Sequence, residues 1–283
     1  RAYNAMIVAE GGRKLFVTLK RELPNYGTFD EKRVFASGPL PEPFEFRDVR
    51  IGLPICEDIW LEDVCEHLGG AGAEMLLVAN GSPYELDKDE LRQTLVRGRV
   101  GTTGLAMAYL NRVGGQDELA FDGSSFIVNP DGELVVQMPD WDEALLITDW
   151  ERQGGKWVCT TRASHELDPF PEDIYHAMMV ALRDYVRRNG FPGVILGLSG
   201  GIDSALSAAV AVDALGPDKV WGVMMPSVYT GSTSVEDAQE CAELLGCRHD
   251  VIPIVPAVHA LGGMLAEAFA GQQPGLAEEN IPA

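Results

Sequence analysis

The sequence predicts a two-domain α/β protein. It places a layered α/β sandwich over residues 1–150, a connection over 151–171 and a doubly wound parallel sheet over 172–283. Three observations carry this. Short apolar runs alternate with helical stretches through the first half, which closes on a hairpin signal. A polar stretch rich in Gly and Pro interrupts the alternation after Asp149. Beyond Gly193 the pattern runs strand, glycine-rich turn, helix, strand, loop, helix, strand, the order of a parallel sheet with crossover helices.

In chain order, residues 4–8 read as a strand closed by Gly11-Gly12, and residues 50–55 as a strand ending at Cys56. Residues 62–68 read as a short helix, 75–79 as a strand, 89–103 as a helix and 106–110 as a strand. Residues 124–128 and 134–136 flank Asn129-Pro130-Asp131-Gly132, a hairpin turn. Residues 149–171 are polar and irregular, with Gly154-Gly155 and Asp168-Pro169-Phe170-Pro171. Pro171-Glu172-Asp173 opens a helix that Asn189-Gly190 stops. Val194-Ile195-Leu196 reads as a buried strand, residues 205–212 as a buried helix, and 220–225 as a second strand. Residues 234–245 read as a helix with Ser234 as its N-cap, and 250–254 as a third strand.

At 283 residues the chain has the length of about two domains, and 46% hydrophobic residues suffice for ordinary cores. A formal charge of −21 argues against nucleic acid or an anionic membrane as the main partner. No apolar run approaches a membrane span. The five cysteines are odd in number and scattered, without C-x-x-C or paired Cys/His spacing, so no zinc site or disulfide framework is indicated and a reducing, cytoplasmic compartment fits. The chain starts at Arg1 within an element and stops at Ile281-Pro282-Ala283, so both ends are expected to be cut.

The most informative stretch is Gly197-Leu198-Ser199-Gly200-Gly201-Ile202-Asp203-Ser204. A glycine-rich turn between strand and helix exposes backbone N–H groups at a helix N-terminus, where they hold phosphate oxygens. Ser199 and Ser204 add hydroxyl donors. Asp203 repels phosphate, so its presence makes sense if Mg²⁺ lies between them. An ordinary Gly-rich turn is the alternative. In the first half, Cys56 ends a strand and precedes Glu57-Asp58. A free cysteine there is more often an inert core residue. As a nucleophile it needs a cation from elsewhere in the fold to oppose the two acids.

The SGGxDS loop resembles the pyrophosphate loop of the N-type ATP pyrophosphatases. Residues 20–31, from Lys20-Arg21-Glu22-Leu23-Pro24-Asn25-Tyr26-Gly27 to Glu31, resemble the lysine segment of the nitrilase superfamily. Gly52-Leu53-Pro54-Ile55-Cys56-Glu57-Asp58-Ile59-Trp60 resembles its cysteine elbow. Together, nearly the whole chain resembles the glutamine-dependent NAD⁺ synthetases. The resemblance implies a nitrilase-like α-β-β-α sandwich acting as a glutaminase, followed by a Rossmann-like synthetase domain of the adenine nucleotide alpha hydrolase type.

By the same resemblance, Cys56 is the nucleophile, Lys20 stabilises the oxyanion and Glu31 is a positioning glutamate. Tyr26, Ser82 and Lys88 bind glutamine. Glu85 and Asp87 stand where the family more usually has His and Gly, which adds negative charge near a carboxylate site. The family's catalytic glutamate base falls upstream of Arg1, so the chain as it stands is expected to lack full glutaminase activity. Gly197 to Ser204 hold ATP, Asp203 ligates Mg²⁺, and a second metal-binding acid is expected beyond residue 283. Asn280 in Glu278-Glu279-Asn280-Ile281 contacts deamido-NAD⁺, although Pro282 replaces the expected Gln. Met225-Pro226-Ser227 resembles a segment near the adenosine site, or is a plain strand-end turn. A homo-oligomer and protected transfer of ammonia between two sites are also implied. Two other readings stay open: a nitrilase-type amidase fused to a different carboxylate-adenylating ligase, and a non-catalytic fragment.

Overall fold

The computed structural model describes residues 1–267. The chain forms two compact units, Arg1–Ala177 and a second from Met178 onward.

The first unit begins with β1 (Ala5–Glu10) and β2 (Arg13–Leu19), an antiparallel hairpin turning on Gly11-Gly12, both at positive φ. After the short α1 (Glu31–Val34) come β3 (Phe44–Phe46), β4 (Val49–Gly52), α2 (Asp63–Gly70), β5 (Met75–Asn80), α3 (Lys88–Thr103) and β6 (Ala106–Asn111). Then follow β7 (Val113–Gln116), β8 (Leu119–Asp122), β9 (Phe126–Val128), β10 (Leu134–Gln137), β11 (Trp150–Gln153), β12 (Lys156–Cys159) and β13 (Ala163–Ser164). One seven-stranded sheet runs in the order β13-β10-β9-β6-β5-β4-β3. β4, β5 and β6 are parallel, with α2 and α3 as the crossovers that parallel strands require. β9 is antiparallel to both β6 and β10.

Side chains alternate across the sheet, so Met107 and Tyr109 face one side and Ala108 the other. The first side packs with Val64, Cys65 and Leu68 of α2 and Val96 and Val100 of α3, positions that share one helix face. Each such buried aliphatic side chain contributes roughly 2 kcal/mol by transfer from water. The sheet lies close under α2: a Cβ on Gly52 would lie 2.4 Å from Leu76 Cδ2 of β5 and 3.2 Å from Leu68 Cδ1 of α2. That contact explains why β4 ends in glycine just before the Cys56 turn. On the other side, Ile127, Val135 and Val136 pack with Cys159.

Residues 151–171 are not the irregular connection the sequence suggested. They hold most of the β11–β12 hairpin, turning on Gly154-Gly155, and β13, which pairs in parallel with β10. Asn129 anchors the hairpin: its Nδ2 donates to Cys159 O at 3.0 Å, and Cys159 N donates to its Oδ1 at 2.9 Å. These strands are only two to four residues long, too short to show a hydrophobic period in the sequence. The first compact unit runs on to Ala177, inside α4 (Glu172–Arg188).

The second unit contains β14 (Val194–Gly197), α5 (Ile202–Leu215), β15 (Val220–Met224), α6 (Ser232–Leu245), β16 (Arg248–Val251) and α7 (Val255–Leu265). Its sheet is parallel, in the order β14-β15-β16. α5 and α6 share a core with Leu198 and Met224, so both lie on one face. Ile195, expected to be buried, is 67% exposed because its side chain points to the other face. α6 begins at Ser232 after Gly231, so Ser234 lies in the first turn rather than at the cap. The third strand ends at Val251, two residues before Pro253, which has no N–H to donate. No helix among the described residues is long and apolar enough to cross a membrane. The predicted Asn280 contact lies outside the described residues.

Candidate functional site

In the first unit the chain leaves β4 through Leu53, Pro54 and Ile55, all buried, and enters a 3₁₀ turn at Cys56–Ile59. Cys56 sits at φ +47, a left-handed conformation costly for a residue with a Cβ. The strained turn lifts the thiol off the strand end into a cavity of about 320 Å³. The sequence-predicted residues Lys20, Glu31, Tyr26, Ser82 and Lys88 all line that cavity with Cys56.

Lys20 is 2% exposed and donates from Nζ to both Glu31 carboxylate oxygens, at 2.8 and 2.9 Å. A lysine buried this far needs a compensating anion, and Glu31 supplies it. Burial pushes the Cys56 thiol above its ordinary pKa. The Lys20 ammonium and the Gly81 backbone N–H pull it back down, while Glu57 and Glu31 push it up. Lys20 is therefore the cation that the two acids after Cys56 call for.

Tyr26 is exposed at the cavity edge and donates from its hydroxyl to Glu57 Oε2 at 3.0 Å. Burial and the Glu57 carboxylate raise its pKa, so the phenol stays a donor at any ordinary pH. Lys88 Nζ donates to Glu85 at 2.6 Å, so the unusual acid at position 85 neutralises the lysine expected to hold a substrate carboxylate.

Ser82 is fixed by a buried polar network that sequence reasoning missed. Arg92 Nε donates to Ser82 Oγ at 3.2 Å and Nη2 to Ser82 O at 3.1 Å, while Asn111 accepts from Ser82 N at 2.9 Å. Arg92 is held in turn by both oxygens of the buried Asp122. The sequence signal was available: Arg92 and Arg99 fall on the apolar face of α3 with Val96 and Val100.

The same network carries a pH signature. Burial and the nearby Asp122 push Asp89 up to about 6, against the pull of Arg92. A carboxyl raised on folding binds more protons folded than unfolded, so its contribution to stability falls as pH climbs from about 4 to 6. Asp89→Asn lacks that titration. The thermal midpoint of the variant relative to wild type is expected to rise between pH 4.5 and 7; a constant difference would refute the assignment.

In the second unit, the predicted loop is a strand-to-helix turn at the carboxyl end of β14. Gly200 takes φ +81, and a Cβ there would lie 2.3 Å from Ser234 O. Ser199 N donates to Ser204 Oγ at 3.1 Å, and Gly201 N to Ser199 Oγ at 3.3 Å. No side chain caps the N-terminus of α5, which begins at Ile202. Asp203 is exposed in its first turn, and Ile202 is exposed beside it. Leu198 differs from its neighbours. Its side chain is in the core and its N–H donates to Val223 O, which positions the loop at the cavity that Leu198 also lines. Gly197 and Ser199 line a cavity of about 580 Å³ with Met224, Met225 and Ser234, above the strand ends.

Residues 1–156 match the carbon-nitrogen hydrolase family, over more than half of the chain. The chain belongs to the carbon-nitrogen hydrolase family. Residues 174–283 match NAD synthase, which gives the chain the domain pair of the glutamine-dependent NAD(+) synthetases. The protein of that name from Rhodobacter capsulatus is 46% identical over 283 residues, covering 99% of this chain and 51% of the relative. The one from Acinetobacter baylyi is 42% identical over 286 residues, covering 99% and 52%. A solved structure of the glutamine-dependent NAD⁺ synthetase from Acinetobacter baumannii, in complex with ADP, superposes with a TM-score of 0.92 at 41% identity, over 99% of this chain and 53% of that one. The chain spans about half the length of the curated relatives it matches.

Carbon-nitrogen hydrolase chemistry needs a nucleophile beside a cation in a pocket of amide size. Cys56 and Lys20 line one cavity across 36 residues of sequence. Glu57, absent from the sequence-predicted set, also lines the cavity and orients Tyr26.

Proposed function

We propose that this chain carries parts of both active sites of a glutamine-dependent NAD⁺ synthetase, a cytoplasmic homo-oligomeric enzyme. Lys20, Glu31 and Cys56 gathered on one cavity carry the reading of the first site. The five free cysteines fit a reducing compartment.

At the first site the Cys56 thiolate attacks the side-chain carboxamide carbon of glutamine. Lys20 holds the developing oxyanion, and Glu31 holds Lys20. The C–N bond breaks, the leaving nitrogen takes up the proton that the Cys56 thiol gave up, ammonia departs, and a glutamyl thioester remains on Cys56. Water hydrolyses the thioester to glutamate and restores the thiol. Tyr26 and Ser82 orient the substrate, with Lys88 beside its carboxylate.

At the second site, Gly197 to Ser204 cradle the phosphates of ATP through backbone N–H groups and the Ser199 and Ser204 hydroxyls. The nicotinate carboxylate of deamido-NAD⁺ attacks the α-phosphorus and displaces pyrophosphate. Ammonia then attacks the adenylate carbonyl carbon, AMP leaves and the amide of NAD⁺ forms. The exposed Asp203 carboxylate beside this loop fits Mg²⁺, which binds through one or two carboxylates plus phosphate oxygens and would neutralise phosphate charge.

The test compares nitrogen sources in the full-length protein. With ATP, Mg²⁺ and deamido-NAD⁺, Cys56→Ala is expected to lose glutamine-driven NAD⁺ formation and keep ammonium-driven formation. If wild type forms NAD⁺ from neither source, the carboxylate substrate is a different one. Tyr26→Phe keeps the ring and loses the bond to Glu57. It is expected to raise the KM for glutamine ~5-fold at constant kcat; a fall in kcat at constant KM would refute a binding role.

A further inference from the structure

We propose that Asp58 is a positioning residue for the Cys56 thiolate: its single carboxylate clamps the backbone on either side of the reaction centre. The inference rests on the glutaminase reading of the first site and adds a group that this reading does not use.

Asp58 is 1% exposed and two residues past Cys56. Its Oδ1 accepts from Arg21 N at 3.0 Å and from Glu22 N at 2.7 Å. Its Oδ2 accepts from Ile55 N at 2.9 Å. Arg21 directly follows Lys20, and Ile55 directly precedes Cys56. One carboxylate therefore joins the strand exit that carries the nucleophile to the segment that carries its cation, across 37 residues of sequence. The carboxylate takes three backbone N–H groups and no side-chain cation among the described residues. A buried carboxylate costs far more than a well-packed apolar residue unless its bonds do something a methyl group cannot. Here they hold the left-handed turn at Cys56, φ +47, against relaxation. They also fix the main chain directly after Lys20, whose own N donates to Asn4 O and whose O accepts from Gly38 N.

Asn is the discriminating substitution. It matches Asp in shape, but it has one acceptor oxygen. With that oxygen toward Arg21 and Glu22, its NH₂ meets the Ile55 N–H, donor against donor. The tie to the nucleophile breaks and the tie to the lysine segment survives. A displacement of about 1 Å between reacting groups costs on the order of 10²-fold in rate. In Asp58→Asn the glutamine-driven kcat is therefore expected to fall ~100-fold, with KM for glutamine within about threefold. Ammonium-driven synthesis is expected to be unchanged.

The second readout is the pH profile of Cys56 alkylation by iodoacetamide, followed by peptide mass spectrometry. Lys20 and the Gly81 N–H lower the thiol pKa, while Glu57 and Glu31 raise it, with the neutral Tyr26 and the Glu85-paired Lys88 at the rim. Loosening the clamp weakens the Lys20 contribution, so the midpoint moves up in the variant. A role confined to stability would move neither kcat nor this midpoint in folded protein. Wild-type kcat and an unmoved midpoint in folded Asp58→Asn overturn the proposal, as does a KM rise at constant kcat. If the Asn variant does not fold, Asp58→Glu is measured instead. Its extra methylene prevents all three bonds at the present spacing, so wild-type kcat with an unmoved midpoint there also overturns it. Alkylation needs no glutamine, so this test stands even if wild type fails to hydrolyse glutamine and the glutaminase reading falls.

Discussion

Lys20→Met is expected to lower glutamine-driven NAD⁺ formation by at least ~10³-fold while ammonium-driven formation stays within twofold of wild type. The side chain has two effects on one step. Its ammonium is the cation beside the thiol, so removing it leaves burial, Glu57 and Glu31 raising the Cys56 pKa against the Gly81 N–H alone and shrinks the thiolate fraction. It is also the donor placed for the oxyanion, and a single lost donor of that kind costs ~10²–10³-fold. Met nearly matches the volume but leaves the Glu31 carboxylate without its partner, which lowers stability as well. Adding Glu31→Gln separates the effects: the double variant is expected to recover thermal stability and not activity. Lys20→Arg keeps the charge but replaces a point donor with a planar fork, so it restores little of the rate. A glutamine-driven rate within tenfold of wild type in Lys20→Met would remove Lys20 from the chemistry.

Gly200→Ala is expected to abolish synthesis from both nitrogen sources and to destabilise the second unit. The new Cβ would lie 2.3 Å from Ser234 O, 2.9 Å from its Cα and 3.0 Å from its C, and φ +81 disfavours any L side chain. These are backbone atoms of α6, so no rotamer change relieves the contact. The loop or the helix must shift, at a cost of about 1–3 kcal/mol, and the phosphate-facing N–H groups move with it. Gly201→Ala is the control. Gly201 has φ −87 and its nearest contact would be Ser199 Oγ at 3.4 Å, so the fold accommodates a methyl group there. Gly201→Ala is expected to keep its unfolding midpoint and lose ATP affinity, since only the approach of phosphate is obstructed. Equal ATP affinity in Gly200→Ala and wild type would show that this loop does not bind the nucleotide.

Much of the candidate site was legible from local residue chemistry. Gly200-Gly201 after an apolar strand signals close backbone approach, and the structure places the Ser234 backbone against Gly200. The β run that ends at Cys56 was legible, although β4 stops at Gly52, and the cysteine proves left-handed. The groups that were missed act at long range. Asp58 bonds to residues 36 and 37 positions away, and Asp122 reaches Arg92 across 30. Neither leaves a local pattern, because an acid beside a cysteine or at a strand end has many solvated uses. Residues 151–171 were misread for a related reason. Short exposed strands carry no hydrophobic periodicity, and β13 is a strand only because β10 offers it an edge.

The sequence by itself determined where a glycine-rich turn follows an apolar strand, at residues 197–201, and where Cys56 follows a β run, while a resemblance to a known family supplied the expected nucleophile, its cation and the phosphate loop. The turns follow from backbone sterics, which belong to each residue wherever it lies. Tertiary structure alone decided that Lys20 meets Glu31 in a buried pair on the cavity that Cys56 lines, that Glu85 bonds to Lys88, and that the Leu198 side chain turns into the core. Those depend on which segments pack together, and the strength of a charge pair or hydrogen bond is set by the water that packing excludes.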